Sequence, residues 1–505
     1  MSGLYLFVKK AQDGNIYILL GLICNVKNTS SQQNKVFSTV SMATVIVVAV
    51  IFFFVGYISH APSTGASVST FSPAGSSTLG VYAGPSGLNN TEHLIGGDVF
   101  AIPKGATNIN ALDTVITFFT SVQAQNALGA LGWPAIDLGT VNTSLPAYNG
   151  PAVTVVMYDD LGASASATQV MKGNLIPEFE HLYPQITIDW VQLRPNQITS
   201  DVEAAVLGNK VGPMVIAQDN LAIGELFYAG DLMNISNASI VLPNTLIPSM
   251  AGLVTYEQKT YGGVYFLPYR ANLALVWYNT AALKHLGINP PQNWNQTLTM
   301  GQGLVNAGMG GISMQGHGGA STSTEMFQWM VQGGGNPMLF NDSGDVAAYS
   351  FMYNLSKYFS PAYTHDYWAS YKGLNNNEYN FFDYQWPGSL PNYESIATTG
   401  TVVNSLSNGT TLYNTSAVKY AIQSAFEQGA FFRPPVAWIT EWNTLADDAF
   451  TKIITNNCGT QACTPSLIQG ILSSENVALY SYLSSTYNTT YANEYEQGVF
   501  GPLAG

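Results

Sequence analysis

Charge is scarce in this sequence. Of 505 residues only 9% are Asp, Glu, Lys or Arg, 16 of them basic and 30 acidic, for a formal net charge of −14. With so few cations and no basic stripe, nothing is available to neutralise a phosphate backbone, which excludes nucleic acid as a partner. The same balance disfavours a strongly anionic small ligand. A surface this poor in ionisable groups changes little in acid, which points to an acidophilic source. Histidine is also rare. The six are scattered, with no H-E-x-x-H and no Cys/His cluster, so no metal site and no cofactor are expected. Glycine runs lack a following Lys-Ser/Thr, which removes the phosphate-binding loop, and no serine nucleophile elbow occurs. No short-period repeat is visible.

There are three cysteines. Cys458 and Cys463, in CGTQAC, are close enough to close a small loop as a disulfide, which needs an oxidising compartment; two free thiols are the alternative. Sequons headed by Asn89, Asn142, Asn234, Asn237, Asn295, Asn341, Asn354, Asn408, Asn414 and Asn488 are candidate glycan sites, though many arise by chance in a chain rich in Asn, Ser and Thr.

What the sequence does have is one long apolar run. STVSMATVIVVAVIFFFVGYI, Ser38–Ile58, carries no charge and is about the length needed to cross a bilayer. Lys9, Lys10, Lys27 and Lys35 precede it, so the positive-inside rule leaves residues 1–37 in the cytoplasm and the bulk of the chain outside. The alternatives are a buried core helix and a signal cleaved after SHA. IYILLGLIC, from Ile16, is too short to span. Residues 59–90 are small and polar, the composition of a flexible stalk.

GGDVFAIPKGATN, residues 96–108, then reads as a strand, a turn and the start of a helix over INALDTVITFFTSVQAQNALG, an isolated unit within 91–148. From about Pro151 the pattern is regular: strand AVTVVMY, helix SATQVMKGNLIPEFEHL, strand ITIDWVQ, helix SDVEAAVLG, strand PMVIA. That β-α-β-α-β order implies a parallel, doubly wound sheet, whose ligands bind beyond the carboxyl ends of the strands. YGGVYFLPYRANLALVWYN follows as two apolar runs broken around Pro268–Asn272, and two helix-rich sections complete the chain.

The βαβαβ start, an Asp after the third strand, LPYRANLALVWYN with its helix and a P-x-x-W turn together resemble the extracellular sugar-type (family 1) solute-binding proteins of ABC transporters. FQWMVQGGG, FFDYQWPG and FFRPPVAWITEWNTLADDAF add to the resemblance, which spans most of residues 80–490. It implies an α/β, two-lobed periplasmic-binding-protein-like fold (type II) over 151–505, closing on a sugar or oligosaccharide and serving permease subunits in the membrane. In that family a stretch similar to residues 96–135 normally comes late, so this unit is displaced to the front. It is expected to pack on the second lobe, the alternative being an independent spacer.

Sugars are bound by aromatic faces and planar polar groups in an enclosed cleft. Asp159 and Asp160 follow the first strand, as ligand contacts or as a helix N-cap. Asp219 and Asn220 follow the third. Arg270 and Asn272 lie where the chain passes between lobes, to touch ligand or to pin the hinge. By the resemblance, Trp386 takes a stacking position, with Asp383 and Gln385 nearby. Trp438, Glu441 and Trp442 are candidate closers of the cleft, although large aromatics are more often core. His317 sits in the glycine-rich loop QGHGG, and Gly96 and Gly97 would let backbone approach a ligand. No catalytic residue is assigned. A glycoside hydrolase recruiting Asp159, Asp219 or Glu441, a glycosylated surface or adhesion protein, and a peptide ligand remain as alternatives.

Overall fold

In the computed structural model the chain divides into two units, Met1–Val68 and Ser69–Gly505. The structure describes residues 3–10, 16–23, 79–129, 136, 144–160, 165–365, 373–374, 378–385, 415–459, 461–487, 489–498 and 500–504. In the first unit β1 (Gly3–Lys10) and β2 (Ile16–Ile23) pair antiparallel, Gly3 opposite Ile23 and Lys10 opposite Ile16. The apolar run from Ile16 is thus a strand. The expected transmembrane helix is not upheld. Among the described residues no helix is long and apolar enough to cross a membrane, and Ser38–Ile58 lies outside them. The fold class is therefore the two-lobed α/β architecture alone.

The second unit has the strands β3 (Leu79–Tyr82), β4 (His93–Ala101), β5 (Val153–Asp159), β6 (Ile186–Gln192), β7 (Met214–Asp219), β8 (Phe266–Leu273), β9 (Leu275–Asn279), β10 (Ile312–Ser313), β11 (Phe381–Gln385), β12 (Ala430–Phe432) and β13 (Leu503–Ala504). They form two sheets. The first lobe holds β13-β12-β4-β7-β5-β6, with β8 added beside β4; the second holds β10-β11-β9-β3. The βαβαβ stretch gives the parallel β6-β5-β7 edge of the first.

β4 answers for the isolated unit. One of its edges pairs with β12 through His93–Ile95 and then with β7 through Asp98–Ala101, while β8 runs along the other. Eight of its nine residues are buried, as a strand covered on both faces requires. The following helix, Ile109–Phe119, sets Phe118 5.3 Å from Phe179, while Phe100 of β4 sits 4.0 Å from Tyr269. Fully burying Phe118 and Phe119 contributes roughly 3–6 kcal/mol, at ~1.5–3 each. The unit therefore completes the first lobe. The expected packing on the second lobe is corrected, because the free hydrogen-bonding edges that match β4 are those of β7, β8 and β12. The helix also ends early: Thr120 and Ser121 turn the chain before a second helix, Val122–Gly129.

The expected stalk is likewise shorter, since Leu79–Tyr82 is a strand beside β9, and the Tyr82 hydroxyl donates to Pro291 O at 2.7 Å. Around the second sheet, helices Trp294–Asn306, Ala320–Gly333, Ser343–Ser356, Ile439–Phe450 and Pro465–Thr486 enclose a core of large rings. Trp294 stacks on Phe351 at 4.4 Å, and Phe340 on Trp442 at 5.4 Å. Cys458 and Cys463 are joined by a disulfide in this lobe. Among the described residues the chain passes between the lobes at residues 83–92, at the single residue Ala274 between β8 and β9, and at residues 433–438 after β12, and it returns to the first sheet at β13.

Candidate functional site

The carboxyl ends of β5 and β7 bring Asp159, Asp160 and Asp219 to one end of the first sheet, where β4 and β8 cross them. Antiparallel register sets Asp98 opposite both Asp219 and Arg270. Partners in register point to one face, so a carboxylate, a carboxylate and a guanidinium stand side by side. Arg270 faces three carboxyls: Nη1 donates to Asp159 Oδ1 at 2.8 Å and Nη2 to Asp160 Oδ1 at 2.5 Å, while Nε forms an ion pair with Asp98 Oδ2. Trp190 Nε1 holds the other oxygen of Asp159 at 2.9 Å. Arg270 is 1% exposed and Asp159 0%.

Buried this deeply, charge survives only where it is paired. Burial opposes the charge on Arg270, but Asp98, Asp159 and Asp160 outweigh it and hold the guanidinium more basic than usual. Burial raises Asp98 to about 6 despite Arg270, and raises Asp160 well above the ordinary carboxylate range, with the charge of Asp98 adding to it. Their side-chain contact holds Asp98 down and pushes Asp160 further up. Arg270 thus pins β5 to β8 at the base of the hinge.

Gly96 and Gly97 lie where β4 changes partners. Gly97 has φ +117°, and a Cβ there would come 2.2 Å from Arg270 O. Its backbone room is used by β8, and Gly97 O accepts from Asn220 N at 2.9 Å. Asn220 is buried with neither side-chain amide atom paired, and Asn272, on β8, has an unpaired Oδ1 at 9% exposure.

The second lobe presents a different wall. A cavity of about 10 Å³, room for roughly one water, is lined from this lobe by Gln315, Ser321, Thr324, Glu325, Gln328 and Tyr384, and closed by Leu94 of β4 and by Ala274 between β8 and β9. Glu325 accepts from Gln315 N at 2.9 Å, and burial raises it to about 8, so it stays protonated at neutral pH. Gln328 is committed to the crossover: its Nε2 donates to Glu92 O at 2.7 Å and its Oε1 accepts from Leu94 N. Arg433, 4% exposed, donates from Nη1 to Thr324 Oγ1 at 2.5 Å; burial lowers its basicity and Asp219, across the junction, raises it. The lobes also touch directly. Thr440 Oγ1 donates to Glu225 Oε1 at 2.8 Å, and a Cβ at Gly224 would come 2.6 Å from Pro435 C. A larger hollow of about 410 Å³, lined by Leu339, Asn341, Asn476, Asn493, Glu496 and Gln497, contains none of these residues.

Of the residues expected to bind ligand, the structure gathers Asp159, Asp160, Asp219, Asn220, Arg270, Asn272, Gly96 and Gly97 at the end of the first sheet. Trp438 and Trp442 are elsewhere, both 0% exposed: Trp442 Nε1 donates to Pro337 O at 3.0 Å, and Trp438 meets the edges of Tyr495 and Phe500. These two rings are core, so the expectation that they close the cleft is corrected. Glu441, one residue before Trp442, is half-buried. His317 is exposed, its Nδ1 3.1 Å from Thr364 O. Trp386, and the side chains of Asp383 and Gln385, lie outside the described residues. Sequence reasoning passed over Asp98, Glu325 and Arg433. Each is a lone charge in an apolar or uncharged stretch, HLIGGDVFAI, STSTEMFQW and FFRPPVAW, which was the signal available.

The family model for bacterial extracellular solute-binding proteins matches residues 164–440, more than half of the chain. The chain belongs to this family. The solute-binding protein is similar in structure to the GacH receptor of Streptomyces glaucescens, solved unliganded and with acarbose, at 14% identity and TM-score 0.48, over 66% of this chain and 99% of that one. It is similar also to the cyclic alpha-maltosyl-1,6-maltose binding protein of Arthrobacter globiformis (14% identity, TM-score 0.43, 65% and 99% covered). A third similar structure is the galacto-N-biose/lacto-N-biose I-binding protein of Bifidobacterium longum (11%, 0.44, 67% and 98%). No curated protein sequence matches the chain. The family is one of extracellular binding proteins, and the matched span begins after β5, leaving β4 and its helix outside it.

Proposed function

We propose that the protein captures a neutral polyhydroxylated solute, a sugar or short oligosaccharide, between its lobes and delivers it unchanged to the permease of an ABC importer. The observation that carries this reading is the set of buried polar atoms left without a partner on both sides of the junction: Asn220 Oδ1 and Nδ2 and Asn272 Oδ1 on the first lobe, Gln315 Oε1 and Glu325 Oε1 on the second. Each unmade hydrogen bond of this kind costs about 1–3 kcal/mol, and a solute that fills them recovers it. Hydroxyl groups suit such a mixture because each donates once and accepts twice. An anionic solute would face Asp98, Asp159, Asp160 and Asp219, which repel it. Glu325, held neutral by burial, supplies a donor where a carboxylate would only accept.

We also read the early position of β4 and its helix as a rearranged chain order within the family's architecture. It is supported by the place β4 takes between β7 and β8.

Isothermal titration of the full chain against neutral mono- and oligosaccharides, with dipeptides and sugar acids as contrasts, tests the reading, with chromatography of the mixture afterwards. The expected result is saturable binding of one neutral sugar recovered intact. Tight binding confined to peptides or sugar acids, or the appearance of hydrolysed product, would overturn it.

A further inference from the structure

The same sheet end holds more negative charge than its cations balance. Asp98, Asp159, Asp160 and Asp219 gather around Arg270, with Arg433 acting on Asp219 from across the junction. Four carboxyl groups meet two guanidiniums here, so the acids outnumber the cations. The geometry points to a divalent cation of the calcium type bound between Asp98, Asp160 and Asp219 on the first lobe.

Three observations carry this. One oxygen from each of Asp98, Asp160 and Asp219 lies within 4.8 Å of the others. Two oxygens on opposite sides of a calcium ion are about that far apart, at ~2.4 Å each. Asn272 stands two residues beyond Arg270 on the same face of β8, opposite the side-chain-free Gly96, so its amide rises from the same side of the sheet; the residue is 9% exposed, and its Oδ1 is buried without a partner. The donor set is all oxygen, which suits a hard cation and not zinc or copper. No local motif announces the site, because its ligands come from β4, the turn after β5, the end of β7 and β8, and meet only in the folded sheet. The inference stands whatever solute the cleft takes.

The test uses full-length protein stripped with a chelator and no sugar present. Calcium is titrated calorimetrically, and terbium by luminescence excited through tryptophan, for which Trp190, bonded to Asp159, is the adjacent donor. The expected result is one ion per chain, terbium emission displaced by calcium, and at least about tenfold weaker binding in Asp219→Asn and in Asn272→Ala. Asn272→Ala removes only an uncharged oxygen and keeps the test decisive if Asp219→Asn fails to fold. Asp448→Asn, at the surface of the second lobe, is expected to change nothing. The inference is overturned by no binding up to about 10 mM calcium, beyond the roughly 0.1–1 mM range of weak extracellular sites. It is overturned equally by binding that persists undiminished in Asn272→Ala and Asp219→Asn.

Discussion

On the first lobe Arg270 is held by Asp98, Asp159 and Asp160, each in an ion pair and almost without exposure. On the second, Gln315, Ser321, Thr324 and Tyr384 line the junction with uncharged groups, and the one carboxyl among them, Glu325, is kept protonated. The difference separates two tasks. A buried ionic cluster is costly to assemble and strongly destabilising to break, so it fixes the floor and the hinge strands. A wall of neutral donors and acceptors is cheap to rearrange and can choose among hydroxylated solutes.

The largest effect should come from breaking the floor. Arg270→Ala leaves several buried carboxylates without their cation, and chemical denaturation should register a loss of roughly 3–5 kcal/mol or outright failure to fold. Gln315→Leu on the opposite wall should cost no more than about 1 kcal/mol. Equal losses from the two would erase the distinction drawn between the walls.

Next comes Gly97→Ala. Its positive φ alone costs roughly 1–3 kcal/mol, and the clash with Arg270 O adds to that by pushing β8 from β4. Thermal unfolding is expected to show a lowered midpoint with the fold retained.

The pH dependence of stability sharpens the comparison by giving each lobe its own titrating acid. Burial raises Glu257 of the first lobe and Glu325 of the second from 4.5 to about 8. The folded state holds their protons more tightly than the unfolded one. Their contribution is therefore complete below about pH 4.5 and lost as pH rises through about 8. His93 acts oppositely: burial lowers it to about 4, so its contribution is complete above about 6.5 and lost as pH falls toward 4. Midpoints measured from pH 4 to 9 should fall between pH 6.5 and 9, and Glu257→Gln and Glu325→Gln should each flatten that fall. A midpoint that climbs over this interval would contradict both assignments.

The smallest stability effect should be at the ligand wall itself. Gln315→Leu is expected to weaken sugar binding about tenfold, the equivalent of one hydrogen bond. His317→Ala, at an exposed loop, should leave affinity and stability within about 0.5 kcal/mol of the parent.

Much of the architecture was legible because it rests on local pattern. The alternation from Ala152 to Ala217 is enough to give β5, β6 and β7 and to place Asp159 and Asp219 at their ends. Arg270 and Asn272 could be located from the two apolar runs that became β8 and β9. The partner of β4 could not be read, since nothing in HLIGGDVFAI says which edges will receive it; register is a property of the assembled sheet. For the same reason Asp98 passed unnoticed although it faces Asp219 and Arg270. Trp438 and Trp442 misled because a tryptophan near a Pro-Pro turn has the same local signature whether it meets ligand or core; here Trp438, at the N-cap of the helix Ile439–Phe450, and Trp442 within it are both buried.

The central claim is that one solute is held by both walls at once. Hydrogen exchange of the full chain with and without the best-binding sugar reads this directly. The account predicts slowed exchange together at Gly97 and Asp219–Asn220 on the first lobe and at Gln315 and Thr324–Glu325 on the second. Protection confined to one lobe, or centred on Asn341 and Asn476 at the larger hollow, would contradict it.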